Sequence, residues 1–121
     1  MRVEKVNLAQ KFTLFHERFQ PKIVAALNDH QVKVVKVLGE FVWHKHDAED
    51  ELFLVVKGRL TIRFRDGDRT LEPGEFLVVP KGVEHMPVAR EEAEVVLIEP
   101  ATTLNTGDAV SERTVAELDW I

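Results

Sequence analysis

A chain of 121 residues suits a single domain that can bury a core without disulfides or a structural metal. Its 16 Lys and Arg against 21 Asp and Glu leave a formal charge of -5, and with no basic block this disfavours a nucleic-acid partner. Cysteine is absent, which excludes thiolate metal ligands, and no apolar run marks a signal peptide or a bilayer span, so a cytoplasmic location without a membrane partner is expected.

Asn7 can cap a short helix. Leu8, Phe12, Phe15 and Phe19 recur at spacings of 4, 3 and 4, an apolar stripe that predicts a helix within an N-terminal arm of residues 1–21. Pro21 ends it, because the residue before a proline avoids the helical region. His16 lies beside the stripe and is expected at the surface. From residue 22 the pattern turns to strands. KIVAAL (22–27) is apolar and β-branched, and Asn28-Asp29-His30 reads as a turn that leaves His30 in solvent. QVKVVKVL (31–38) follows, and Gly39 marks a bulge or bend before EFVWHKH. ELFLVV (51–56) runs into the Lys57-Gly58 turn. RLTIRFR (59–65) alternates, with Leu60, Ile62 and Phe64 on one face, and Asp66-Gly67 is a hairpin turn. DRTLE (68–72), EFLVVP (75–80), EHMPV (84–88) and EVVLIE (94–99) complete the series, divided by Pro73-Gly74 and Lys81-Gly82. About eight or nine short strands with regular turn signals predict an all-β sandwich or barrel over residues 22–100. The tail, 101–121, is polar. It carries Thr114-x-x-Glu117, a capping-box pattern that predicts a turn of helix, and its Trp120 and Ile121 are expected to dock on the barrel.

His44 and His46 share a face if their segment is a strand, with backbones about 6.5–7 Å apart. From there two imidazoles can lean toward one ion at about 2.0–2.2 Å. Glu51 can return to the same point if its strand pairs with theirs, and His85 lies far along the chain. Three imidazoles and a carboxylate would leave two positions of a six-coordinate metal open. Spacing alone leaves the His-x-His pair open between ligands and a surface or interface pair. It leaves the acids of DAEDE open to a solvated loop, and it gives no reason to add His85.

The surrounding glycines and proline carry more. Gly39-x4-His44-x-His46-x4-Glu51-x6-Gly58 resembles the first motif of the cupin superfamily, and Gly74-x5-Pro80-x-Gly82-x2-His85 resembles the second. The resemblance covers residues of about 32 to 99. It departs in two places: four residues rather than five separate Gly39 from His44, and Ala89 stands where asparagine often ends the second motif. Neither removes a ligand. The resemblance implies a small jelly-roll β-barrel in which His44, His46, Glu51 and His85 point inward and bind a divalent metal: iron, manganese, nickel, zinc or copper.

Glu51 is preferred to Glu49 and Asp50 because it keeps the six-residue spacing to Gly58. It is also in phase with Phe53 and Val55, which would share the inward face and line the pocket. No catalytic base is identified, Glu49 being only the nearest free carboxylate. If the histidines point in, Phe41, Trp43 and Lys45 point out, and an aromatic pair of that kind calls for a cover. A homodimer is expected to provide it, with the Phe12, Phe15 and Phe19 segment as the alternative. Lys81 and Arg90 read as solvated, so no basic cluster suits a sugar phosphate. The partner is then a small molecule. The resemblance favours an isomerase or oxygenase on a small polar or aromatic substrate, with a non-catalytic sugar- or acid-binding barrel as the second reading.

Overall fold

Segments rich in Val, Ile and Leu, cut by glycine and Asn-Asp turns, become seven strands in the computed structural model, which describes residues 3–121. They are β1 (Lys22–Leu27), β2 (His30–Glu40), β3 (Glu51–Lys57), β4 (Leu60–Phe64), β5 (Gly67–Leu71), β6 (Phe76–Val79) and β7 (His85–Pro100). Every ladder between these strands is antiparallel. The order is β1-β2-β7-β3-β6, with β4 on the other part of β7 and β5 beyond β4.

β7 organises the fold. Two separate strands were expected over 84–88 and 94–99. Instead one strand of 16 residues runs through. Its partner β2 absorbs the interruption: Val37 pairs with Ala93 and Gly39 with Ala89, so β7 carries two extra residues there. Gly39, at φ +80, takes a left-handed conformation that a side chain disfavours, which bears out the expected bulge. Beyond the bend, β7 pairs β3 through residues 94–98, and before it β4 through 85–88.

The two halves of the folded sheet enclose one core. Val35 and Val37 of β2, Phe53 and Val55 of β3, Leu60 and Ile62 of β4, Leu71, Val79, and Ala93, Val95 and Leu97 of β7 form it. The expected barrel is not closed. Among the described residues no ladder joins β1, β5 and β6 to one another.

A second apolar layer covers the outer face, with Phe12 and Phe15 packed on Val24, Val34 and Val96. The predicted short helix is α1 (Leu8–Phe12), which ends well before Pro21. Asn7 caps it through a 3.0 Å bond from Gln10 N, as expected, and Thr13 Oγ1 turns back to Gln10 O at 2.6 Å as the helix ends. The aromatic stripe therefore splits. Phe12 and Phe15 stay on the outer layer, while Phe19, at φ 61, joins the inner core. His16 is exposed, as expected; His30, expected in the turn, begins β2 and is half-buried.

The tail has no helix. Thr114 Oγ1 bonds Thr106 Oγ1 at 2.6 Å and accepts from Ser111 N, so the capping-box residues serve a loop. The chain end pairs with β1 through backbone bonds Ile23 N to Asp119 O and Ile121 N to Ile23 O, while the Trp120 side chain stays exposed.

Candidate metal centre

Leaving β2, residues 41–46 form no regular strand, contrary to expectation, and make only an isolated bridge at His44. They are tied to the start of β7 and the loop before it. His44 and His85 exchange backbone hydrogen bonds of 3.0 and 2.9 Å, Phe41 N donates to Pro87 O at 3.0 Å, and Gly82 N donates to His46 O at 2.8 Å. Lys81 N reaches Asp50 Oδ1 at 2.8 Å. Two stretches far apart in sequence thus lie side by side, and β3 brings Glu51 to the same place.

His44, His46, Glu51 and His85 are all buried, and each offers a ligand atom within 4.8 Å of the others. The ring centroids of His44 lie 4.9 Å from those of His46 and 4.3 Å from those of His85. Glu51 Oε1 is 3.3 Å from both His46 Nε2 and His85 Nε2.

The hydrogen bonding fits a cation. His44 Nδ1 lies 2.8 Å from Val42 O, and His85 Nδ1 lies 3.0 Å from Val83 O; carbonyls only accept, so both Nδ1 atoms carry hydrogen. Each Nε2 is left to face the cluster. The contact of His85 Nε2 with Glu51 Oε1 then needs a positive charge between lone pairs, either a second proton or a metal ion. Both ring nitrogens of buried His46 lack a hydrogen-bond partner, and coordination through Nε2, which faces Glu51, would satisfy one of them. Burial, and then the charge of His85, lower the His44 pKa to about 4, so its imidazole is neutral near pH 7, as a ligand must be. Burial opposes ionisation of Glu51, but the polar groups around it, Glu99 and the His46 and His85 imidazoles, outweigh it and hold the carboxyl well below its usual range.

A cavity of about 40 Å³ opens beside the cluster, with His44 and Glu51 on its wall. Phe53 lines it. Val55 lies deeper in the core, off the cavity wall. A much larger surface hollow of about 1060 Å³ beside β5 and β6 contains none of the four donors.

The outward face differs from expectation. Phe41 turns inward and stacks on Phe19 with centroids 5.1 Å apart. Trp43 is half-buried beneath the guanidinium of Arg65, 3.8 Å from its ring centroid. Lys45 is half-buried and pairs with Asp47 at 3.3 Å. The chain covers both aromatics itself, which removes the observation that motivated a dimer. Glu49, the nearest free carboxylate by sequence, accepts from Thr102 Oγ1 at 2.9 Å.

Sequence reasoning missed Lys33 and Glu99. Their side chains are 1% and 2% exposed, they pair at 2.6 Å, and both line the cavity. Burial, then the Glu51 charge, hold the Glu99 carboxyl well above its usual range. Parity could have revealed them: Lys33 is in phase with Val35 and Val37, and Glu99 with Val95 and Leu97, all inward. Asn105 and Leu118, from the tail, also line the cavity and had no such signal.

Known proteins agree with this architecture. The family described as Cupin_2, the cupin domain, matches residues 32–100. The chain is similar to the crystal structure of a cupin-2 domain containing protein from Shewanella frigidimarina NCIMB 400, at 52% identity and a TM-score of 0.78 over 78% of this chain and 93% of that one. It is 36% identical to the uncharacterized protein YdbB of Bacillus subtilis (strain 168), over 63% of this chain and 77% of YdbB. It is 28% identical to the acireductone dioxygenase of the same organism over 66% of this chain, and spans about half of that enzyme, 48%. With the family matched across most of its strands and across all four clustered donors, the chain belongs to the cupins.

Proposed function

We propose that the protein is a metal-dependent enzyme of the oxygenase type that acts on a small substrate bearing adjacent oxygen donors, such as an enediol or a catechol. The observation that carries this is the buried set of three imidazoles and one carboxylate beside an apolar cavity. The acireductone dioxygenase relative supports the reaction class.

A divalent metal held by His44, His46, Glu51 and His85 would supply Lewis-acid polarisation and open coordination positions. The chain supplies the rest. Val42 O and Val83 O fix the ring orientations of His44 and His85. Phe19, Phe41, Phe53 and Leu97 keep bulk water from the cavity wall. A water molecule occupies roughly 30 Å³ of liquid, so a cavity of about 40 Å³ admits only the reacting end of a substrate.

The test has two stages. Elemental analysis of protein purified without chelator or nickel resin identifies the metal. Protein loaded with iron, manganese or nickel is then offered a panel of enediols and catechols in an oxygen electrode. Oxygen uptake that requires metal and substrate supports the reading. No uptake by fully loaded protein across the panel sinks it, and a panel member that raises the melting temperature yet returns unchanged turns the reading into a binding barrel.

A further inference from the structure

We infer that Lys33 and Glu99 form a hydroxyl-binding subsite in the wall of the cavity: they bind a substrate hydroxyl next to the oxygen that faces the four donors, and so select molecules that carry two adjacent oxygens. The inference rests on the proposed function and names the residues that give it specificity.

The register sets the pair beside the donors. Lys33 pairs with Leu97 across β2 and β7, and Glu99 lies two residues further along β7, so the two side chains are diagonal neighbours on one inward face. Lys33, Glu99, His44 and Glu51 all line the cavity of about 40 Å³. Asn105 is the one other polar residue on that wall. Its amide is already engaged within the tail, donating to Arg113 O at 2.8 Å and accepting from Val115 N at 2.9 Å. With His44 and Glu51 assigned to the cation, Lys33 and Glu99 are what the wall offers to a polar group of a ligand.

Stability alone gives little reason for them. A buried ion pair is weak evidence of a stability role, because apolar side chains of similar volume often serve the fold as well. The inward neighbours Val35, Val37, Val95 and Leu97 are apolar. The hydrogen bonding says what the pair could hold. Lys33 Nζ donates to Glu99 Oε2 at 2.6 Å and has further hydrogens to give. Glu99 Oε1 is buried and has no hydrogen-bond partner among the described residues, which costs free energy until something bonds it. A hydroxyl is the complement of this arrangement: its oxygen accepts from the ammonium and its hydrogen goes to Oε1. If Oε1 itself carries hydrogen, the hydroxyl accepts from it instead, so the match does not depend on where that proton lies. An analogue with hydrogen in place of the hydroxyl leaves these groups unpaired, and that is how a polar site rejects it.

The experiment uses the full-length protein loaded with Zn²⁺, which has no redox chemistry, and reads binding of catechol and phenol by calorimetry. Wild type should bind catechol roughly 10- to 100-fold more tightly than phenol. A Lys33→Met, Glu99→Met double variant replaces the pair with apolar side chains of similar length. It should keep its zinc and its phenol affinity, while its preference for catechol falls to about threefold or less. A preference that survives in the folded, zinc-loaded variant places both catechol oxygens on the metal; it overturns the inference and leaves the oxygenase reading to the separate oxygen-uptake test. A zinc-loaded wild type that does not distinguish the probes overturns it as well. Glu99→Gln still offers hydrogen bonds to Lys33 and to a hydroxyl, so it should keep the preference; equal loss there traces the effect to cavity shape and counts against the subsite. A crystal structure of zinc-loaded wild type with catechol needs no variant. One catechol oxygen should lie within about 3.2 Å of Lys33 Nζ or Glu99 Oε1, and a pose with neither contact overturns the inference. A chain that binds no Zn²⁺ sinks the metal reading and this inference with it.

Discussion

His46 is the residue on which the metal reading turns. It is the one histidine of the cluster with neither ring nitrogen hydrogen-bonded. His46→Ala should lower metal affinity by more than about 100-fold, beyond the usual effect of a partner behind a ligand, and should leave the metal-free fold as stable as before or more so. Equilibrium dialysis beside urea denaturation checks both halves. His44 gives a pH signature. Its folded pKa of about 4 lies below the unfolded value of about 6.5, so between these the unfolded chain binds more protons. Stability of the metal-free protein is then full above pH 6.5 and falls as the pH drops toward 4, by up to about 3 kcal/mol. Urea midpoints at pH 7 and pH 4.5 measure it, and His44→Gln should flatten the difference.

At the scale of elements, the tail matters more than its polar sequence suggests. Residues around Gly107 lie against the segment that carries His44 and His46: Asp108 Oδ1 accepts from Lys45 N at 2.8 Å, and Asp108 N donates to Lys45 O at 3.1 Å. Gly107 has φ +54, and a side chain there would collide with the Lys45 carbonyl and press on the His44 ring. Gly107→Ala should cost about 1–3 kcal/mol and speed proteolysis of the tail, while a variant with unchanged urea midpoint and cleavage would show that the contact is not needed.

Strand positions were legible because alternation and glycine turns are local signals. β1 was read to the residue, and the Gly39 bulge by its glycine. The helix was over-read because a 4-3-4 stripe says which residues are buried, not against what; Phe19 left for the inner core. The continuity of β7 was hidden because its partner strands β2, β3 and β4, on either side of Arg90-Glu91-Glu92, set its extent rather than local sequence. At the site, the clustered histidines were legible through their motifs. Lys33 and Glu99 were not, because charge outweighed parity in the reading.

Across the whole molecule, the inner core is complete without the four donors, and β3, β4 and β7 pack through Phe53, Leu60, Ile62 and Val95. Removal of metal should therefore lower stability without unfolding the chain. At a hundredfold excess of free metal over Kd, binding adds about 2.7 kcal/mol, so chelation should lower Tm by roughly 6 to 16 °C with the β circular-dichroism signal intact. Loss of that signal at 25 °C on chelation would make the ion structural.

β7 sets one more condition. It contributes His85 at its first residue, 3.3 Å from Glu51 Oε1, and Glu99 near its last, on the wall of the cavity that Glu51 also lines. The strand leaves that point, turns over the core at 90–92 and comes back, so its length acts as a gauge. Deleting Glu91 would put one half out of step with the other and turn either His85 or Glu99 away from the interior. Length changes that this protein can absorb therefore belong in its outer turns, and the span between those two residues has to keep its count.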